Sequence, residues 1–264
     1  MSDDLVILKV EDGVATITLN RPQVGNAVDL PMARSLRDAV IQCADDGGVR
    51  CVVLTGAGRM FCVGGDVAAM AAAGEARPEF LHELVGAFHE ISRPLMQMDK
   101  PVLALVNGPA AGAGLALALS ADVVLAARSA SFLAAYAAVG LTADGGLSWL
   151  LPRLVGMRKA QAMILLNQQV SAEEAERIGL VSQVVDDGEL LTQGRQMANT
   201  LAASSMPAFA GSRRLLRASF EASFEQQLEL EHTSMTSAAR TPESAEGIAA
   251  FLARRKPDFR PDIA

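Results

Sequence analysis

Val102 to Asp122, V-L-A-L-V-N-G-P-A-A-G-A-G-L-A-L-A-L-S-A-D, sets the frame for the whole chain. Val102 to Val106 is a short, continuous apolar run, the pattern of a strand covered on both faces. Asn107, Gly108 and Pro109 break it with a turn. A small-residue helix starts at about Gly112, and Gly112, Ala113 and Gly114 leave its first backbone N–H groups bare. Partial positive charge at such a helix start favours an anion or a developing oxyanion. No residue from Pro101 to Ala121 is charged, but the turn residues interrupt the run in its middle. It therefore reads as strand, turn and helix rather than as a membrane span. A second stretch echoes the first: strand Cys51 to Thr55, then G-A-G-R-M-F-C-V-G-G-D from Gly56 to Asp66, where Gly64 and Gly65 permit close backbone approach.

Around these two stretches the chain alternates strand and helix. Leu5 to Val10 and Val14 to Leu19 flank the turn pair Asp12-Gly13 and read as a hairpin. Asp29 caps a helix that runs to about Ala44. An Ala-rich short helix after Asp66 leads into a loop through Gly74 and Pro78. Glu79 to Met98 carries Leu81, Leu84, Val85, Phe88 and Ile91 at helical spacing. Val123 to Ala127 and Ser131 to Leu133 read as strands, and Gly140 to Gly146 as a loop before a helix. Arg158 to Leu166, Ala172 to Ile178 and Gly188 to Ala203 read as helices. From Ser205 onward only helices are visible, broken near Ser223 and Pro242. Alternating elements followed by helices imply an α/β core over residues 1–204 and a helical part over residues 205–264.

Composition narrows the function. Of 264 residues, 50% are hydrophobic and 20% charged, and the formal net charge is −7. That is a globular chain, and its charge argues against nucleic acid as a partner. Cys43, Cys51 and Cys62 form no CxxC pair, which suits free thiols in a reducing, cytoplasmic setting. The acidic start M-S-D-D carries no leader pattern. His82 and His89 share one helix face and His232 is remote, so no zinc-ligand spacing is present. The dinucleotide fingerprint fails, because Leu117 stands at its third glycine position.

The motifs together carry a resemblance. N-G-x-A-x-G-x-G from Asn107 and F-C-x-G-x-D from Phe61 resemble the enoyl-CoA hydratase/isomerase family, the crotonases. So do T-L-N-R-P-x-x-x-N-A (Thr18 to Ala27), A-E-x-A-x-x-I-G-L-V (Ala172 to Val181) and F-L-A-R-R-K-P-x-F (Phe251 to Phe259). The resemblance spans nearly the whole chain. It implies a spiral of ββα units with a helical C-terminal region that mediates assembly into a homotrimer or a dimer of trimers. It implies an acyl-CoA thioester as substrate, with no further cofactor. By match to the family motif, the N–H groups of Gly65 and Ala113 form the oxyanion hole, beside Gly64 and Gly112. Val24, Ala27, Cys62, Asp66 and Val67 are matched to the CoA and thioester region. Phe251 and Arg254 of the tail are matched to the nucleotide, reached from a neighbouring subunit.

The acid–base residues depart from the pattern. Family hydratases use two glutamates; the matched positions here hold Ala116 and Tyr136. One carboxylate remains in the region, Asp144, the only charged residue between Arg128 and Arg153. Its plainest reading is a cap for the helix after Gly145-Gly146. The segment D-G-G-x-S-W-L-L-P-R also resembles family isomerases that use an aspartate there, including those acting on the ring epoxide of phenylacetyl-CoA, and a dehalogenase whose aspartate is a nucleophile. His89 matches a histidine position of that dehalogenase, although an exposed helix histidine is the plainer reading. Tyr136 either hydrogen-bonds Asp144 or lines the acyl pocket. The reading that follows is an isomerase, in which Gly65 and Ala113 hold an enolate and Asp144 moves a proton. A hydratase, a dehalogenase-like hydrolase and a non-catalytic acyl-CoA-binding module are the alternatives.

Overall fold

A computed structural model of the protein describes residues 4–260. Strands β1 (Val6–Glu11) and β2 (Val14–Leu19) form the expected antiparallel hairpin. Helix α1 (Leu30–Asp45) begins at Asp29, whose carboxylate accepts the Met32 N–H at 2.9 Å. Strand β3 (Cys51–Gly56) pairs parallel to β2, and β4 (Val102–Val106) parallel to β3. Between them lie α2 (Val67–Ala72) and α3 (Arg77–Gln97). After β4 come β5 (Ala110–Ala111), α4 (Ala113–Leu119), β6 (Val123–Ala127), β7 (Ser131–Leu133) and α5 (Leu147–Leu165). The chain continues through β8 (Val170–Ser171), α6 (Ala172–Arg177), β9 (Gln183–Val185) and α7 (Leu190–Ala202). It ends in α8 (Met206–Ala218), α9 (Phe224–Ala238) and α10 (Pro242–Leu252). A six-stranded sheet runs β1-β2-β3-β4-β6-β9 and a three-stranded one β5-β7-β8. Every residue of β4 is buried, as its unbroken apolar run requires.

Two readings change and three short strands are added. The stretch from Gly74 to Pro78 is a helical turn leading into α3, because Pro78 sits in the first turn, where its missing N–H has no partner to lose. The two-residue strands β5 and β8 and the three-residue β9 carry no period of their own; pairing with β7 and β6 creates them. Asp144 is not a helix cap. The N-cap of α5 is Gly146, in left-handed conformation and without a side-chain cap bond. Asp144 contributes only its backbone carbonyl there, accepting the Leu147 N–H at 3.0 Å.

Helix α8 is fastened to the core chiefly through one buried side chain, with the Arg214–Asp99 ion pair and the Trp149–Phe220 ring contact beside it. Arg213 of α8 is buried and donates to Asp122 Oδ1 at 2.5 Å, to the Met98 carbonyl at 2.5 Å and to the Leu95 carbonyl at 2.6 Å. Asp122 Oδ2 in turn accepts the Val102 N–H at 2.9 Å, at the start of the central strand. By contrast, α9 buries none of its residues, and Phe224, Leu228, Leu230 and Met235 are exposed. No helix among the described residues is long and apolar enough to cross a membrane.

Removing one partner of a buried ion pair leaves the other charge uncompensated, at a cost of about 3–5 kcal/mol. Arg213→Ala is expected to lower stability by that order, read as a shift in the denaturant midpoint. A midpoint within experimental error of the wild type would show that α8 is not anchored through Arg213.

Candidate active site

The two glycine loops lie side by side. The Cys62 N–H donates to the Pro109 carbonyl at 3.2 Å and the Ala111 N–H to the Cys62 carbonyl at 2.9 Å. The Asn107 side chain bridges the same loops, accepting the Gly56 N–H at 3.2 Å and donating to the Gly58 carbonyl at 3.0 Å. This pairing brings Gly64 against residues 111–113: a methyl group on Gly64 would stand 2.9 Å from the Ala111 carbonyl and 3.4 Å from the Ala113 nitrogen. Gly65 follows Gly64, and Ala113 is the first residue of α4. Among the described residues, neither the Gly65 N–H nor the Ala113 N–H has an acceptor. Two bare amides meet where the loops touch.

They open on a cavity of about 580 Å³. Its floor includes Gly64, Gly65, Gly112 and Ala113. Val67 and Met70 of α2 and Leu81, Leu84, Val85, Phe88 and His89 of α3 form one wall. Tyr136, Val139, Leu141, Thr142 and Asp144, from the segment between β7 and α5, form the other. The lining is mostly apolar, and Asp144 is its only carboxylate.

Tyr136 and Asp144 are brought together by local structure. After β7, Ala135 turns left-handed (φ 65°) and its N–H donates to Asn167 Oδ1 at 2.9 Å. Tyr136 then begins a single 3₁₀ turn that points the chain back toward the cavity. The Tyr136 hydroxyl donates to Asp144 Oδ1 at 2.5 Å. Burial, and then the Asp144 charge beside it, push the Tyr136 phenol well above its ordinary range. The phenol thus stays protonated and keeps donating. Both open readings of Tyr136 hold at once: it lines the cavity and it bonds Asp144.

Ala116, at the matched glutamate position, is fully buried in α4 and does not reach the cavity. The loop carrying Asp144 rests on it. Gly145 packs so closely that a methyl there would come within 2.5 Å of the Phe88 ring and 3.0 Å of the Ala116 methyl.

The remaining expected site residues divide. His89 lines the cavity although exposed to solvent, whereas His82, seven residues earlier, does not. Val24, Ala27, Cys62 and Asp66 lie outside the cavity lining. Cys62 is completely buried and its thiol donates to the Asn26 carbonyl at 3.2 Å. Asp66 caps α2, accepting the Ala69 N–H at 3.1 Å, and pairs with Arg21 at 3.2 Å. The side chains of Cys62 and Asp66 therefore hold the loop rather than face the cavity. Phe251 and Arg254 are exposed at the end of α10, away from the cavity lining of their own chain. The apolar walls from Met70, Val139 and Leu141 were not read from sequence as part of a site.

The comparisons with known proteins bear on this arrangement. The family model for enoyl-CoA hydratase/isomerase matches residues 9–262. This chain belongs to the enoyl-CoA hydratase/isomerase family. It is 38% identical over 258 residues to the 1,2-epoxyphenylacetyl-CoA isomerase of Escherichia coli K12, spanning 97% of this chain and 98% of that one. It is 39% identical over 259 residues to a Rhodobacter capsulatus protein named "Probable enoyl-CoA hydratase", spanning 98% and 99%. The crystal structure of an enoyl-CoA hydratase from Polaromonas superposes with a TM-score of 0.92 at 32% identity, covering 96% of this chain and 98% of that one. The crotonase fold and an acyl-CoA-processing role follow for this chain.

Burial pushes the Cys62 and Cys51 thiols up to about 12 and Cys43 to about 11. The thiolate is the reactive form. Native protein at about pH 8 is therefore expected to resist iodoacetamide at all three cysteines, while denatured protein takes up a label at each. Rapid labelling of Cys62 in the native state, read by intact mass, would contradict the sealed loop described above.

Proposed function

We propose that this crotonase is an acyl-CoA isomerase in which one aspartate moves a proton between carbons. What carries the reading is the Tyr136–Asp144 hydrogen bond at 2.5 Å, in the same cavity as the two unpaired amides. The thioester carbonyl accepts from the Gly65 and Ala113 N–H groups. Loss of a proton next to the thioester puts negative charge on that oxygen, and the two donors are already aimed at it. A donor of this kind contributes roughly 10²–10³ in rate. Asp144 takes the proton. Its Oδ1 is occupied by Tyr136, which leaves Oδ2 for the substrate and fixes the orientation of the group. The same carboxylate returns the proton to another carbon, so the cycle needs no second acid and no cofactor beyond the substrate.

The relative named as an epoxyphenylacetyl-CoA isomerase favours isomerisation. The relative named as a hydratase keeps water addition as the second reading. Hydration asks for one group to activate water and another to protonate carbon. Position 116 offers no group for this: it is a fully buried alanine packed against the Gly145 loop.

Asp144→Asn is expected to leave folding and CoA-ester binding intact and to reduce isomerase turnover by at least roughly 10²-fold, the lower range for general acid–base catalysis. The assay follows 3-enoyl-CoA conversion and 2-enoyl-CoA hydration for both proteins. Full isomerase activity in the variant, or a wild type that only hydrates, defeats the reading.

The reading extends to assembly. The exposed apolar residues Phe220, Phe224, Leu228 and Leu230 cover neighbouring copies in a homotrimer or a dimer of trimers. Charged substitutions at Phe224 and Leu228 are expected to shift the light-scattering mass toward the monomer. A wild type that is monomeric at micromolar concentration rules this assembly out.

A further inference from the structure

We propose that Arg21 and Asn26 are positioning residues of the thioester hole, setting the direction in which the Gly65 N–H points. The inference rests on the reading of Gly65 as an oxyanion donor.

A trans peptide is planar, so its N–H and C=O point in opposite directions. The Gly65 N–H shares its peptide unit with the Gly64 carbonyl, and whatever holds that carbonyl aims the N–H. The holder is Val28, whose N–H donates to the Gly64 carbonyl at 2.8 Å. The bridge closes on the other side, where the Asp66 N–H donates to the Val28 carbonyl at 2.9 Å. Val28 is a buried aliphatic residue and its position depends on what fixes the segment before it.

Two side chains fix that segment. Asn26 is fully buried in left-handed conformation (φ 57°). Its Oδ1 accepts the Arg21 N–H at 2.9 Å, and its Nδ2 faces the carbonyls of Met60 at 2.7 Å, Ala57 at 3.0 Å and Phe61 at 3.1 Å. This ties the segment to the loop upstream of Gly64. Arg21 ties it downstream. Its Nη1 donates to the Ala27 carbonyl at 2.6 Å, while Nη2 lies 3.2 Å from Asp66 Oδ2 and 3.1 Å from Asp29 Oδ2. Ala27 precedes Val28 and Asp66 follows Gly65, so one guanidinium grips both sides of the Val28–Gly65 bridge. Its planar fork suits two partners at once; an ammonium does not span them in the same way. Neither residue reaches the cavity, so neither touches substrate.

The role predicts a defect in the enolate and not in ground-state binding. A misaimed donor still admits a thioester but stabilises its anion less, and misplacement of about 1 Å costs up to roughly 10² in rate. The probe is acetoacetyl-CoA, whose enolate absorbs in the near ultraviolet. Arg21→Lys and Arg21→Gln are titrated with it, and kcat and KM are measured alongside the thermal midpoint. Asn26→Asp is a further variant that keeps the side chain's size. We expect wild type to raise the enolate fraction on binding. Arg21→Lys should bind the ester within about threefold of wild type yet lose roughly tenfold or more in kcat and in bound enolate. Variants that fall in thermal midpoint and ester affinity, while the ester they bind shows the wild-type enolate fraction, would reduce both residues to structural ones and overturn the proposal. A wild type that binds the ester without raising its enolate removes Gly65 as a donor, and the clamp's role falls with it.

Discussion

The two backbone hydrogen bonds between Cys62 and residues 109–111 hold the site together. They join a loop that follows β3 to one that follows β4, although the two lie some fifty residues apart in sequence. The join needs backbone to approach backbone. At Gly114 an added methyl would stand 2.1 Å from the Cys62 carbonyl, so any side chain at that position would push α4 away from the first loop. With α4 in place, its first N–H and that of Gly65 face one space. The sheet exists, in functional terms, to hold these loops in register: β3 and β4 are adjacent parallel neighbours, so their following loops emerge on the same edge.

The cavity walls answer a different demand. An enolate in water is stabilised by solvent that must reorganise; fixed dipoles in an apolar enclosure need no such reorganisation. Here α3 contributes aliphatic and aromatic side chains on one side and the segment after β7 on the other. The polar groups inside are few, and Tyr136 holds one oxygen of Asp144. A phenol driven above its ordinary range by burial remains a donor throughout the range in which a carboxylate serves as base. In the proposed reading, proton transfer and charge stabilisation come from separate parts of the fold, the first from the segment before α5 and the second from the glycine loops.

What the sequence made legible follows from how local each feature is. Strands β2, β4, β6 and β7 have the bounds that their patterns suggest, β4 and β6 as continuous apolar runs and β2 and β7 as alternating ones. Asp29 caps its helix where expected, since a cap is a matter of a few neighbouring residues, and Ser223, read only as a break, caps the helix that follows it. The short strands β5, β8 and β9 were not legible, because pairing with distant strands makes them. A cap was the plainest reading of Asp144 because Gly145-Gly146 imitates a helix start; in the structure its side chain bonds Tyr136 instead. The apolar stripe of α3 was visible as a stripe, but a helical period reports that a face is covered and not what covers it. Leu84, Val85 and Phe88 thus read as core, while in the structure that face also bounds a cavity. Arg21 and Asn26 stood in a matched motif without a role, since their partners come from residues 57–66.

The packing around Ala116 has a consequence for how this chemistry changes over evolutionary time. A carboxylate at that position is the obvious single substitution toward two-carboxylate water chemistry. Yet the Ala116 methyl and the Phe88 ring both stand close against Gly145. A larger residue there would grow from a methyl already packed under the loop that carries Asp144, the residue proposed to move the proton. With Asp144 in its proposed role, a change at position 116 is coupled to the 144–146 loop, so the two chemistries are linked by epistasis rather than by one independent substitution.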